Sequence, residues 1–174
     1  MTSIPIKAKN PLLTSDSDEW YTPQDIIQRV NDCIGPIDID PCSEPWSAEH
    51  PFRVPAQHHF TKAMDGLSRP WFGHVFVNPP YGRALPHWVL KTYLAHNRGE
   101  TGETILLVPA RTDTKWFQYL WEASRVCFVR GRISFESPAG AKWCAPFPSA
   151  IAYWGPSPTR FEYFFTPLGH IVTP

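Results

Sequence analysis

The sequence predicts a compact α/β domain of Rossmann-like type, and three observations lead there. Short runs of β-forming residues alternate with segments of helical periodicity over most of the chain. The two clearest runs, Val75-Phe76-Val77 and Thr104-Ile105-Leu106-Leu107-Val108, each stop within two residues of a proline, which lacks the backbone donor a ladder needs. At 174 residues, with 43% hydrophobic and 18% charged side chains, the chain has the size and composition of one domain around one core.

The elements follow in order. Residues 1–18 mix Pro, Ser, Lys and Asn without periodicity and are expected to form a flexible arm, leaving 19–174 as the folded domain. Thr22 is placed to cap a helix, Pro23 suits its first position and Asp25 favours its positive end. Ile26, Ile27, Val30 and Ile34 share one face of that helix, which should end near Gly35-Pro36. Ile37-Asp38-Ile39-Asp40 alternates apolar and acidic residues and breaks at Pro41, so it reads as a strand ending in Asp40-Pro41-Cys42-Ser43. Ligands gather at such carboxyl ends in α/β sheets.

Residues 43–60 hold Pro45, Pro51 and Pro55 and little periodicity, so the expected helix and second strand are missing and the N-terminal half reads as trimmed. His58 and His59 lack partners at metal spacing and read as surface, and Met64-Asp65-Gly66-Leu67 reads as a turn. Beyond the central strand, Leu85, Trp88, Val89 and Thr92 give residues 85–97 helical spacing. A further helix is expected over 114–124, a strand over 126–129 and a hairpin from Arg130, with its turn glycine and two guanidiniums. A last core strand should span 149–154, with an edge strand over 161–165.

The chemistry concentrates where the central strand stops, in Val77-Asn78-Pro79-Pro80-Tyr81. Pro79 and Pro80 remove two donors and stiffen the turn, leaving carbonyls free to accept hydrogen bonds. A planar amino group would suit this turn. Asn78 offers a side-chain oxygen, Pro79 a main-chain oxygen and Tyr81 a ring to stack on.

Charge adds a second hint. The net charge is +0, but residues 1–50 carry three basic and nine acidic side chains, whereas residues 51–100 carry six basic and two acidic. Such asymmetry fits a cationic ligand on one face and a polyanion on another, and equally an ordinary solvated surface. Cys33, Cys42, Cys127 and Cys144 are too scattered for a zinc site or a disulfide framework, so no metal is expected. No apolar run approaches membrane-spanning length, and Met1-Thr2-Ser3-Ile4-Pro5 lacks a signal-peptide core, so the expectation is a soluble cytoplasmic protein with no membrane contact.

Several motifs stand in a telling order: Glu19-Trp20-Tyr21-Thr22-Pro23, Ile39-Asp40-Pro41-Cys42, Asp65-Gly66-Leu67, Asn78-Pro79-Pro80-Tyr81, Trp88 with Lys91, and Leu107-Val108-Pro109-Ala110-Arg111. Gly131-Arg132-Ile133-Ser134-Phe135 and Pro146-Phe147 complete the series. Taken together it resembles the phage and prophage-type DNA adenine-N6-methyltransferase (Dam) family over about residues 19–154. The resemblance implies a Rossmann-like methyltransferase fold, S-adenosylmethionine (AdoMet) as methyl donor and double-stranded DNA as substrate, in a host cytoplasm if phage-encoded. No protein partner is called for.

By the same resemblance, Asn78, Pro79, Pro80 and Tyr81 are catalytic, gripping a flipped adenine. Tyr21, Thr22, Pro23, Asp40, Pro41, Cys42 and Asp65 are cofactor-binding, with Asp40 facing the cofactor's amino group or sulfonium. The glycine-rich turn common after the first strand is absent here. Arg111, Lys115, Arg130, Arg132 and Lys142 are expected to contact DNA, and Phe135 either covers the base or fills the hairpin core. Methylation of an RNA base or a protein glutamine stays open, as does a non-catalytic nucleic-acid-binding module on the same fold.

Overall fold

A computed structural model of the chain describes residues 21–46, 54–136 and 142–174, so the arm expected over 1–18 lies outside the described residues. A seven-stranded sheet forms the centre, ordered β2-β1-β3-β4-β8-β5-β9. Its strands are β1 (Ile37–Ser43), β2 (Ala56–Thr61), β3 (Gly73–Val77), β4 (Thr101–Pro109), β5 (Arg125–Val129), β8 (Ser149–Trp154) and β9 (Gly169–Val172). β2, β1, β3 and β4 are parallel; β8 runs antiparallel between β4 and β5, and β9 antiparallel beside β5. β6 (Ser134–Glu136) and β7 (Lys142–Cys144) form a separate hairpin, to which Tyr21 adds an antiparallel bridge at Glu136.

Side-chain alternation sorts the core into two layers. Phe76 on β3, with Ile105 and Leu107 on β4, packs against α1 (Gln24–Ile34) and α3 (Pro158–Phe165). Val75 and Val77, with Leu106 and Val108, face α2 (Leu85–Asn97) and a 3₁₀ helix over Lys115–Glu122. Both faces are covered, which is why the central strands read as continuous apolar runs rather than alternating ones.

Three expectations are corrected. The second strand is present: β2 pairs parallel with β1, Ile39 opposite His58. Its exposed Gln57 and His58 hide the apolar pattern, because β2 is the sheet's edge. The strand from Ile37 does not stop at Pro41; it continues to Ser43 through a register irregularity, where proline's missing donor costs least. Residues 161–165 are helical: Phe161 and Phe165, one turn apart, stack at 4.4 Å between ring centroids on α3, and the edge strand is β9 instead. The helix expected over 114–124 is present as a 3₁₀ helix over Lys115–Glu122. One glycine is decisive at the new edge: a Cβ on Gly169 would lie 2.0 Å from the Phe128 carbonyl oxygen.

Candidate active site

β1 and β3 are adjacent and parallel, but the chain leaves β1 outward to β2 and returns on its other side to β3. Connections diverge at this point, and ligands of open α/β sheets bind at the carboxyl edge of such a switch. Ile39 pairs with Val75, so Asp40-Pro41-Cys42 and Asn78-Pro79-Pro80-Tyr81 emerge side by side from that edge.

Asn78 is held from both ends. Its Nδ2 donates to Thr22 Oγ1 at 2.9 Å, and its Oδ1 accepts from the Tyr81 hydroxyl at 2.8 Å. Thr22 therefore does not cap α1 as expected: Pro23 holds the N-cap position and the helix starts with no side-chain cap. Edge-on contacts with Phe135 at 6.1 Å and Phe147 at 5.4 Å fix the Tyr81 ring. Desolvation holds the Tyr81 hydroxyl above the usual phenol range, with a smaller contribution from Cys42.

Asp40 is buried, and its own turn binds both of its oxygens: Cys42 N donates to Oδ1 at 3.0 Å and Ser43 Oγ to Oδ2 at 2.6 Å. Burial raises its pKa, partly offset by those two hydrogen bonds and by His59. Cys42 is pushed well above the ordinary thiol range by burial first, then by the charges of Asp40 and Glu44, so it is a poor nucleophile.

The turn bearing Asp65 packs against β1. Asp65 is exposed at φ 50, and its carbonyl accepts from the backbone N–H and hydroxyl of Ser68. The next residue lies so close to β1 that a Cβ on Gly66 would sit 2.1 Å from the Pro41 oxygen. Trp71 Nε1 donates to the Gly66 carbonyl at 3.0 Å, and Trp71 stacks on Trp88 of α2. Lys91, 5.0 Å above the Trp71 ring, donates to the carbonyls of Leu67 at 2.7 Å and Arg69 at 2.5 Å. The structural roles of Gly66 and Trp71 follow from contacts between distant segments, for which a single chain gives no local signal.

Pro109 pairs with Ser149 at the end of β4, and β5 ends beside the same start of β8. Arg111, Lys115, Arg130 and Arg132, all exposed or half-buried, thus follow strands that end on the same edge as Asn78. The Arg132 guanidinium bonds the Gly131 carbonyl at 3.2 Å. Lys142 lies on β7, and its side chain is outside the description. Phe135 is only 1% exposed and belongs to the core with Ile26 and Ile27, so of its two readings the hairpin-core one matches its position. A cavity of about 620 Å³ opens beside this edge, between Gln24 and Asp25 of α1 and the segment carrying Arg130, Arg132 and Glu136. It is lined by neither Asp40 nor Asn78. No helix among the described residues is long and apolar enough to cross a membrane.

The sequence model of DNA N-6-adenine-methyltransferase (Dam) matches residues 9–146, spanning both strand-end motifs and the hairpin. Among curated proteins none matches the chain. With an α/β sheet whose switch point presents Asn78-Pro79-Pro80-Tyr81 and a match over most of its length, the chain belongs to the DNA N-6-adenine-methyltransferase (Dam) family.

Proposed function

We propose that the protein methylates the N6 amino group of adenine at a specific site in double-stranded DNA, taking the methyl group from AdoMet. The observation that carries this reading is the Asn78 amide at the switch point, its oxygen directed to Tyr81 and its nitrogen tied to Thr22, in a chain of this family.

The exocyclic nitrogen of adenine is a poor nucleophile because its lone pair is conjugated with the ring. Asn78 Oδ1 has a second lone pair beyond the one Tyr81 uses, and the Pro79 carbonyl is the other acceptor. Two acceptors on the two N–H hydrogens let the nitrogen pyramidalise and turn its lone pair outward. This is positioning and electrostatic stabilisation, with no covalent enzyme intermediate. A base inside a duplex cannot reach this turn, so it flips out and stacks against Tyr81. Arg111, Lys115, Arg130, Arg132 and Lys142 are the proposed DNA contacts. Phe135 supports Tyr81 from the core.

The residues fit AdoMet by the chemistry of their donors and acceptors. Its carboxylate would meet the first-turn N–H groups of α1, which carry no side-chain cap, beside the main chain of Tyr21, Thr22 and Pro23, the Thr22 hydroxyl being committed to Asn78. Its cationic centre would meet Asp40, whose burial makes a nearby positive charge favourable. Pro41, Cys42 and Asp65 complete the proposed wall. Bound there, AdoMet supplies an electrophilic methyl group.

Transfer of label from AdoMet to duplex DNA, RNA and protein, with the product identified by mass, tests the proposal. N6-methyladenine in duplex DNA is expected, and Asn78→Ala should lower turnover at least about 100-fold with AdoMet affinity nearly unchanged. Label found only on RNA or on glutamine would move the acceptor. AdoMet binding with no transfer to any of the three would favour a non-catalytic module.

A further inference from the structure

We infer that Thr22 is a positioning residue for the Asn78 amide: its hydroxyl fixes which end of that amide faces the substrate. This rests on the proposed amino-group methylation. An asparagine amide has nearly the same shape in its two flipped orientations, so its hydrogen-bond partners alone decide which one is populated. Only one orientation serves an incoming amino group. With Oδ1 forward the amide accepts an N–H; with Nδ2 forward it offers a donor to a donor.

The two partners here are unequal. Thr22 has an alkyl hydroxyl, the better acceptor, and it receives Nδ2 at 2.9 Å. Tyr81 has a phenol, whose oxygen lone pair is conjugated with the ring, making it the better donor; it gives its hydrogen to Oδ1 at 2.8 Å. A flipped amide would ask the phenol to accept and would forfeit that match. Thr22 is also rigidly held. It is 4% exposed, it precedes Pro23 at the start of α1, and its neighbour Tyr21 is bridged to Glu136 by bonds of 2.9 Å and 3.2 Å. The hydroxyl is thus spent on the catalytic turn rather than on the first turn of α1. Its position before α1 ties the start of the domain to the end of β3.

The test compares Thr22→Val, Thr22→Ala and Thr22→Ser in full-length protein, reading steady-state turnover and, by calorimetry, AdoMet affinity. Thr22→Val and Thr22→Ala should each lose roughly 10- to 100-fold in kcat with AdoMet Kd within about threefold, and Thr22→Ser should stay within about threefold of wild type in both. The inference fails if removing the hydroxyl leaves kcat within about threefold, if Thr22→Ser is as impaired as Thr22→Val, or if the whole loss lies in AdoMet Kd. Should wild type methylate an acceptor other than DNA adenine, the proposed substrate fails, while the same comparison on that acceptor still decides the role of Thr22.

Discussion

Tyr81 carries two separable properties, a ring held edge-on by Phe135 and Phe147 and a hydroxyl that donates to Asn78. The hydroxyl supports an orientation that Thr22 also enforces, whereas nothing else in the turn provides an aromatic face. Tyr81→Phe should therefore cost about 3- to 10-fold in kcat, the scale of one net hydrogen bond. Tyr81→Ala should cost about 100-fold, mostly through weaker binding of the flipped base, since base–aromatic stacking is worth about 1–3 kcal/mol. Steady-state kinetics on a duplex substrate checks both, and equal losses would place the catalytic weight on the hydroxyl. The turn itself was legible from the sequence, because two prolines after a run of β-formers leave few alternatives. The Thr22 contact was not, because Thr-Pro before a helix signals a cap just as well. Only the approach of a segment 56 positions away in the chain shows that the hydroxyl is used elsewhere.

Among the elements, the connection from β2 to β3 is the one on which the proposed cofactor side would depend. Its turn touches β1 through Gly66 and α2 through Trp71 and Lys91, so it links the strand end bearing Asp40 to the helix that follows the Asn78 turn. Gly66→Ala would drive a methyl group into the Pro41 carbonyl, a rigid backbone atom, so the turn must withdraw. A loss of about 2–3 kcal/mol in stability and at least about tenfold weaker AdoMet binding are expected, read by denaturant midpoint and calorimetry. Lys91→Met keeps the stem over Trp71 but leaves two carbonyls without their shared donor, and should cost about 1–2 kcal/mol with a smaller effect on affinity. If Gly66→Ala bound AdoMet normally, the turn would have no part in the cofactor site. Elements with one strong period were readable: α2 has the predicted bounds Leu85–Asn97, and β8 the predicted Ser149–Trp154. β2 was not, since an edge strand with histidines and a glutamine lacks the apolar signature. The segment over 161–165 misled because a Phe pair at i and i+4 in a short aromatic stretch fits either period.

For the molecule as a whole, a net charge of +0 argues against strong non-specific binding to a polyanion, yet the fold concentrates what positive charge there is. Arg111 and Lys115 follow β4, and Arg130 and Arg132 follow β5. Because β8 is inserted antiparallel between these strands, both end on the edge that carries Asn78. Sequence order alone could not show this, since the side on which β5 ends depends on how the later strand β8 inserts. Asp113 lies between Arg111 and Lys115 in the chain, and Asp25 and Glu136 line the cavity with Arg130 and Arg132, so the excess of positive charge is modest. Replacing Arg130 and Arg132 together by Gln should weaken binding to a short duplex about 10- to 100-fold near physiological salt. It should also reduce the slope of log K against log salt by about 1–2, since each phosphate that is no longer neutralised removes about 0.9. AdoMet affinity and thermal midpoint should stay unchanged, because neither side chain bonds to Asp40 or Asn78 or belongs to the core. A fall in affinity with an unchanged slope would mean that the pair reads base edges rather than phosphates. Unchanged affinity would remove the hairpin from the DNA interface and leave duplex binding to Arg111 and Lys115 beyond β4.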